Sequence, residues 1–231
     1  MNRSIIAFLA FGSLAAGFAQ PAIAADLAPP FAPSPPVYAP PPSWTGFYLG
    51  GNIGWGWSSG DGTFWITGLG PVPISGSGDG FLGGVQAGYN WEVESFVVGF
   101  ETDFQGSTGS GDLNGTGITG GTLKTPWFGT IRGRYGYASG PWLFYLTGGG
   151  VYGKAEYDGT LATTGPFSTS TTGWSWTLGG GIETMLWDRW SGKLEYLYVG
   201  TPNKFPSPPG TVGTDGSIDT NIVRVGLNYH F

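Results

Sequence analysis

The chain has 231 residues, 45 of them glycine, and no cysteine; only 10% are charged, with 15 acids against 9 bases for a formal net charge of −6. An acidic chain without a basic patch excludes nucleic acid as a partner, and the lack of cysteine excludes a disulfide scaffold. Ordinary soluble domains carry roughly 25% charged residues, so a chain this poor in charge but 16% aromatic fits a membrane β-barrel better than a soluble domain.

Residues 1–24 have the layout of a secretory signal peptide. Arg3 gives a positive start, Ile5 to Phe11 form a short apolar run, and Ala22-Ile23-Ala24 is a small-residue cleavage site. Residues 25–43 read as a periplasmic tether. Ala28 to Pro42 is so dense in proline that it suits an extended polyproline-type spacer and no β-ladder. No later stretch reaches the roughly 18 apolar residues of a transmembrane helix.

From Trp44 onward, eight segments alternate apolar and polar residues with a period of two, as strands do between two different surroundings. They are Trp44–Trp57, Phe81–Trp91, Phe96–Phe104, Trp127–Tyr137, Trp142–Tyr152, Trp174–Leu186, Trp190–Tyr198 and Asp219–Phe231. The expected fold is therefore all-β: an eight-stranded antiparallel up-and-down transmembrane β-barrel over 44–231. The lengths suit the roughly 9–11 residues that a tilted transmembrane strand needs. Glu92–Ser95, Ala138–Pro141 and Trp187–Arg189 are short turns. Ser58–Gly80, Gln105–Pro126, Gly153–Gly173 and Val199–Ile218 are long, without evident periodicity, and are expected as loops. Short turns on one side and long loops on the other is the layout of an outer-membrane barrel, with turns in the periplasm and loops outside.

The tryptophans distinguish a lipid-facing exterior from a watery one. Trp44, Trp91, Trp142, Trp187 and Trp190 lie toward the short turns; Trp55, Trp57, Trp127, Trp174 and Trp176 lie toward the long loops; Trp65 sits within a loop. Two aromatic bands one strand length apart match the girdles at two membrane interfaces. With the aromatic parity outward, the opposite parity carries Glu101, Asp103, Arg132, Arg134, Glu183, Lys193, Glu195 and Arg224, four acids and four bases. Buried ions need partners, so these eight are expected to form an ion-paired network in the barrel's lower middle, with Glu101 beside Arg132 and Glu183 beside Lys193 on adjacent strands. Trp142–Tyr152 is the least regular strand, since Tyr145 and Val151 oppose the parity of Trp142, Phe144 and Leu146. In the last strand Val223, Val225, Leu227, Tyr229 and Phe231 face lipid, and that strand must pair with the first to leave no open edge.

The stretches ADLAPP, WTGFYLGGNIGWGW, WSGKLEYLYV and VRVGLNYHF resemble the alpha-proteobacterial outer membrane immunogenic proteins, which belong with the small porin-like and surface-antigen eight-stranded barrels. The likeness covers the mature barrel and is clearest in the first strand and the last two. It implies a bacterial outer-membrane location, contact with outer-membrane lipid and lipopolysaccharide, and abundance at the surface. Related proteins are described as porins, adhesins or haem binders. The resemblance also implies that Tyr229 and Phe231 form the signal read by the barrel-assembly machinery. It assigns no loop residue to a host or surface ligand.

Other patterns lose to their context. Gly78 to Gly83 matches a dinucleotide fingerprint, but a strand and not a helix follows it. Asp112-Leu113-Asn114-Gly115 holds only part of a calcium loop. His230, the sole histidine, is expected at the periplasmic rim without a serine partner, which leaves no nucleophilic site. No cofactor, metal site or catalytic residue is expected. The reading is a structural, surface-exposed outer-membrane protein that supports the envelope and interacts through four loops. Its alternative is a small porin passing ions or small solutes. Eight strands favour the first, since side chains fill so narrow an interior.

Overall fold

The computed structural model describes residues 43–66, 70–116, 118–162, 165–201 and 211–231. The signal-peptide segment 1–24 and nearly all of the tether 25–43 lie outside the described residues. Strands make up most of the described chain: β1 Gly46–Ile66, β2 Gly70–Val93, β3 Phe96–Ser107, β4 Ser110–Gly115, β5 Ile118–Ser139, β6 Trp142–Leu161, β7 Gly165–Trp187, β8 Trp190–Gly200 and β9 Thr211–His230. β3 and β4 are one stave interrupted at Thr108 and Gly109. Both lie between β2 and β5, and Thr108 donates its N–H to Phe81 O at 2.9 Å across the interruption. Nine segments thus make eight staves.

Every neighbouring pair is antiparallel, and β1 pairs with β9 from Tyr48↔His230 to Ile66↔Thr211, which closes the ring. Closure follows from the solvent. Hydrocarbon cannot satisfy a free sheet edge, so each backbone N–H and C=O needs a neighbouring strand. The inner turns are two residues long: Glu94-Ser95, Gly140-Pro141 and Asp188-Arg189. Glu94 and Gly140 both take a φ of 58° at the first turn position, as a tight hairpin between twisted strands favours.

The strands run well beyond the segments expected from sequence. β1 and β2 stay paired out to Ile66↔Gly70, and β6 and β7 to Leu161↔Gly165. What reads as three long loops is largely barrel wall. Gly, Ser and Thr hide the period there because both faces are polar or bare. The inward positions still carry it: Phe64, Val72, Ile74, Leu113, Tyr157 and Phe167 form a buried apolar cluster. Against the roughly 9–11 residues that cross a bilayer, the 24 residues of β2 leave more than half of that strand clear of the membrane.

Outside, the lower and upper aromatic bands are chains of touching rings. Phe47, Tyr89, Trp91 and Phe100 follow one another below, and Phe104, Trp127, Tyr152 and Trp174 above, with centroids 4.6–6.0 Å apart. Trp44 is an exception to the expected girdle. It is fully buried and packs with Val97, Ala138, Leu143, Tyr145 and Met185 as an apolar bung in the inner end of the barrel. Its even number already gave it the inward parity of Tyr48 and Asn52 on β1. Between the bands the surface is aliphatic, and Ile131 lies there 62% exposed. Ile131→Arg is expected to cost roughly 2–4 kcal/mol, and Ile131→Ala far less, in equilibrium denaturant titrations of the barrel refolded into lipid vesicles.

Candidate functional site

The site is the lumen. The alternation of each strand sends one parity inward, and on β3, β5, β7, β8 and β9 that parity carries the eight charges predicted from sequence. All eight are buried, and the structure brings them into one connected cluster. Glu101 is its hub. It faces Arg132 across the β3–β5 ladder and is ion-paired with it. Both of its oxygens accept from Lys193 Nζ at 2.8 Å, and Oε2 accepts from the Tyr48 hydroxyl at 2.9 Å. Arg134 and Arg224 each come within 3.5 Å of it.

A second layer of pairs surrounds this hub. Asp103 Oδ2 accepts from Arg132 at 3.0 Å, Arg224 at 2.9 Å and the Thr130 hydroxyl at 2.7 Å. Glu195 accepts from Arg224 Nε at 2.6 Å and from the Tyr145 hydroxyl at 2.9 Å, and lies 3.2 Å from Arg132. Arg134 donates to Glu183 at 2.6 Å and to the Tyr48 oxygen at 2.7 Å, and it lies 4.0 Å from the centroid of the Tyr145 ring. Inward glycines make room for both rings. A Cβ at Gly88 would meet the Tyr48 hydroxyl at 2.4 Å, and one at Gly181 the Tyr145 hydroxyl at 2.7 Å.

One expected pair does not form. Glu183 and Lys193 are cross-strand partners in the register, but Lys193 reaches across the lumen to Glu101. Glu183 instead takes Arg134, the Ser191 hydroxyl at 2.6 Å and the Asn228 amide at 2.7 Å. In a barrel this narrow the facing wall lies within reach of a long side chain, so the ladder neighbour loses its privilege. The irregular strand β6 is resolved by the same burial. Leu143, Tyr145, Thr147 and Val151 point inward, while Trp142, Phe144 and Leu146 face outward.

Several lumen residues escaped the sequence reading, although Ser191, Asn228 and His230 share the parity of the charges on their strands. An amide relay runs from Asn52 to Gln86 at 2.9 Å, from Gln86 to Asn228 at 2.5 Å, and from Asn228 to Glu183. His230 is buried and not a bare rim residue: its Nε2 lies 2.9 Å from Ser191 Oγ, so the expectation of no serine partner is corrected. The contact lacks the layout of a nucleophile. Ser191 directs its proton to Glu183, and that carboxylate approaches the same imidazole nitrogen at 3.8 Å rather than orienting the opposite one. Tyr229 and Phe231 stand on the outer surface with ring centroids 5.2 Å apart. The Gly78 to Gly83 stretch is part of β2, and Asp112 to Gly115 part of β4.

A family model described as an outer membrane protein beta-barrel domain matches residues 11–231. The chain is 40% identical over 237 aligned positions to the 31 kDa outer-membrane immunogenic protein of Brucella melitensis, covering 95% of this chain and 97% of that one. It is 31% identical over 216 positions to the 25 kDa outer-membrane immunogenic protein of Brucella abortus, covering 93% and 92%. Among solved structures, the outer membrane protease OmpT from Escherichia coli superposes with a TM-score of 0.50 at 8% identity, covering 80% of this chain and 97% of that one. At that identity the likeness is one of fold alone.

Breaking one member of a buried ion cluster leaves its partners uncompensated, at about 3–5 kcal/mol. Glu101→Gln is therefore expected to lower stability by about that much, and Glu101→Leu combined with Lys193→Met to lose less than the sum of the two single changes. Denaturant midpoints of the wild type, the three single variants and the double variant in one detergent check both statements.

Proposed function

The chain belongs to the outer membrane protein β-barrel family, and from that premise we propose that it works as a closed, non-catalytic anchor that presents barrel extensions at the cell surface. It is an outer-membrane protein. The observation that carries the reading is the packed lumen. The side chains of Glu101, Asp103, Arg132, Lys193, Glu195 and Arg224 are wholly shielded, with the Trp44 bung on the inner side. An ion crossing this barrel would have to separate pairs of charges that are buried from solvent, which is costly.

The absence of catalysis in this reading is supported by the chemistry of the lumen. Its one serine–histidine contact is buried and bound to a carboxylate, and the acids and bases neutralise one another instead of leaving one poised for a substrate. A surface role is supported by the names of the relatives, which describe them as outer-membrane immunogenic proteins. In this reading the tips of the extensions meet host or surface ligands, the aromatic bands meet lipid and lipopolysaccharide, and Tyr229 with Phe231 are read by the assembly machinery.

Two measurements test the proposal. Purified protein in a planar bilayer is expected to give no steady conductance at neutral pH. Large stable openings would overturn the closed-anchor reading in favour of a small porin, and Arg132→Ala would then change their size. For topology, the cysteine-free chain allows single labels. On intact cells a membrane-impermeant maleimide is expected to modify Ala162→Cys in an outer turn and to spare Ser95→Cys in an inner one. The reverse pattern would invert the orientation.

A further inference from the structure

Above the ion cluster the lumen changes character. Leu82, Phe128, Val151, Leu197 and Ile222 form an apolar layer directly over the charges, and further out stands the second apolar cluster around Phe64, Ile74 and Tyr157. Between them many inward positions are glycine, namely Gly56, Gly78, Gly80, Gly111, Gly153 and Gly173, and others carry small hydroxyl side chains such as Ser58, Thr171, Ser175 and Thr220. Large side chains below and above, with a glycine wall between, leave a recess of about 280 Å³.

The recess is uncharged inside. Asp79 and Lys154 belong to its wall, but each sits between two inward-facing residues and so takes the outward parity. Lys154 is paired there with Glu156 at 2.6 Å. Tyr157 stays a neutral phenol, its hydroxyl pushed up to about 12 by burial. The hydroxyls that line the recess are partly spent on backbone: Ser58 donates to Gly78 O at 3.2 Å, and Thr201 donates to Ile218 O. Water in a cavity needs two to four polar partners, whereas an apolar cavity of about 150 Å³ stays dry and takes up benzene.

We propose that this recess, enclosed by the Leu82–Phe128–Val151–Ile222 floor and the glycine wall, is a binding site for a small, uncharged, largely apolar molecule of one or two rings. In the closed barrel the ion cluster lies beneath the recess and makes it a blind pocket and not a passage, which rests on the closed-anchor reading. Gly153 and Gly173 of its wall adjoin Tyr152 and Trp174 of the upper aromatic band, which puts the recess level with the outer membrane interface.

Methyl-labelled protein in lipid nanodiscs, titrated with naphthalene, tests the proposal. Resonances of Val151, Val199 and Ile222 are expected to shift and saturate at one equivalent, while lipid-facing Ile53 and Val225 show only the linear drift of partitioning. Naphthalene-1-sulfonate is expected to bind at least tenfold more weakly. A Cβ at Gly173 meets nothing within 4 Å, so the side chain of Gly173→Leu starts into open space on the recess wall and is expected to weaken naphthalene at least tenfold, with resonances far from the recess unchanged. Shifts confined to the lipid face, no saturation, equal binding of the sulfonate, or full binding by Gly173→Leu would each overturn the assignment.

Discussion

Hydrocarbon offers no hydrogen bonds, and the rest of this structure depends on that constraint. A sheet in such a solvent must close on itself, and here the β1–β9 ladder supplies the closure. Once the ring is closed, alternation leaves no freedom about where polarity goes. Every ion in the spanning part of the wall must face inward, into a space that eight strands make too narrow for water to solvate it. The ions must therefore satisfy one another. Four acids and four bases in one cluster are the result, and tyrosine, threonine, serine and amide groups around them take up some of the remaining donors and acceptors.

The lumen is consequently layered by chemistry. An apolar bung around Trp44 lies innermost, the ions follow, and then come an apolar floor, a glycine-walled recess and a second apolar cluster. Each layer suits its surroundings. The ion cluster ties β3, β5, β7, β8 and β9 together by directional bonds in the spanning part. The outer apolar cluster lets the wall continue above the bilayer as folded structure, in a region whose outer face is wetted and polar.

Much of this was legible in the sequence because a period of two is a local signal. The parity of Glu101, Arg132, Glu195 and Arg224 follows from their immediate neighbours, and so does the outward face of Val223, Val225 and Leu227. What was not legible depends on distances across the lumen. Lys193 chooses Glu101 over its ladder neighbour Glu183 because of the stagger between staves, which no single strand encodes. Ser191 and His230 meet instead as diagonal neighbours on the β8–β9 ladder, where Ser191 faces Asn228, a contact fixed by the register between two strands and not by either alone. The outer extensions were missed on different grounds. Glycine, serine and threonine occupy both faces there, so the apolar period survives only at scattered positions such as Val72, Ile74 and Leu113. Trp44 was misplaced because residue type was weighed above parity.

The scattering of the lumen charges also bears on how such a chain crosses the inner membrane. A translocating chain is stopped when a segment is apolar enough to partition as a helix, and each ion at the centre of such a helix counts against that by about 2.5–3.5 kcal/mol. The ions here are dealt out over β3, β5, β7, β8 and β9, with two each on β3, β5 and β8. In those strands, rich in Phe, Tyr, Leu and Val on one face, the ions interrupt any apolar segment and so count against arrest as a helix. The groups that lock the finished barrel thus also act as a transit permit during export, keeping a chain destined for one bilayer from lodging in another.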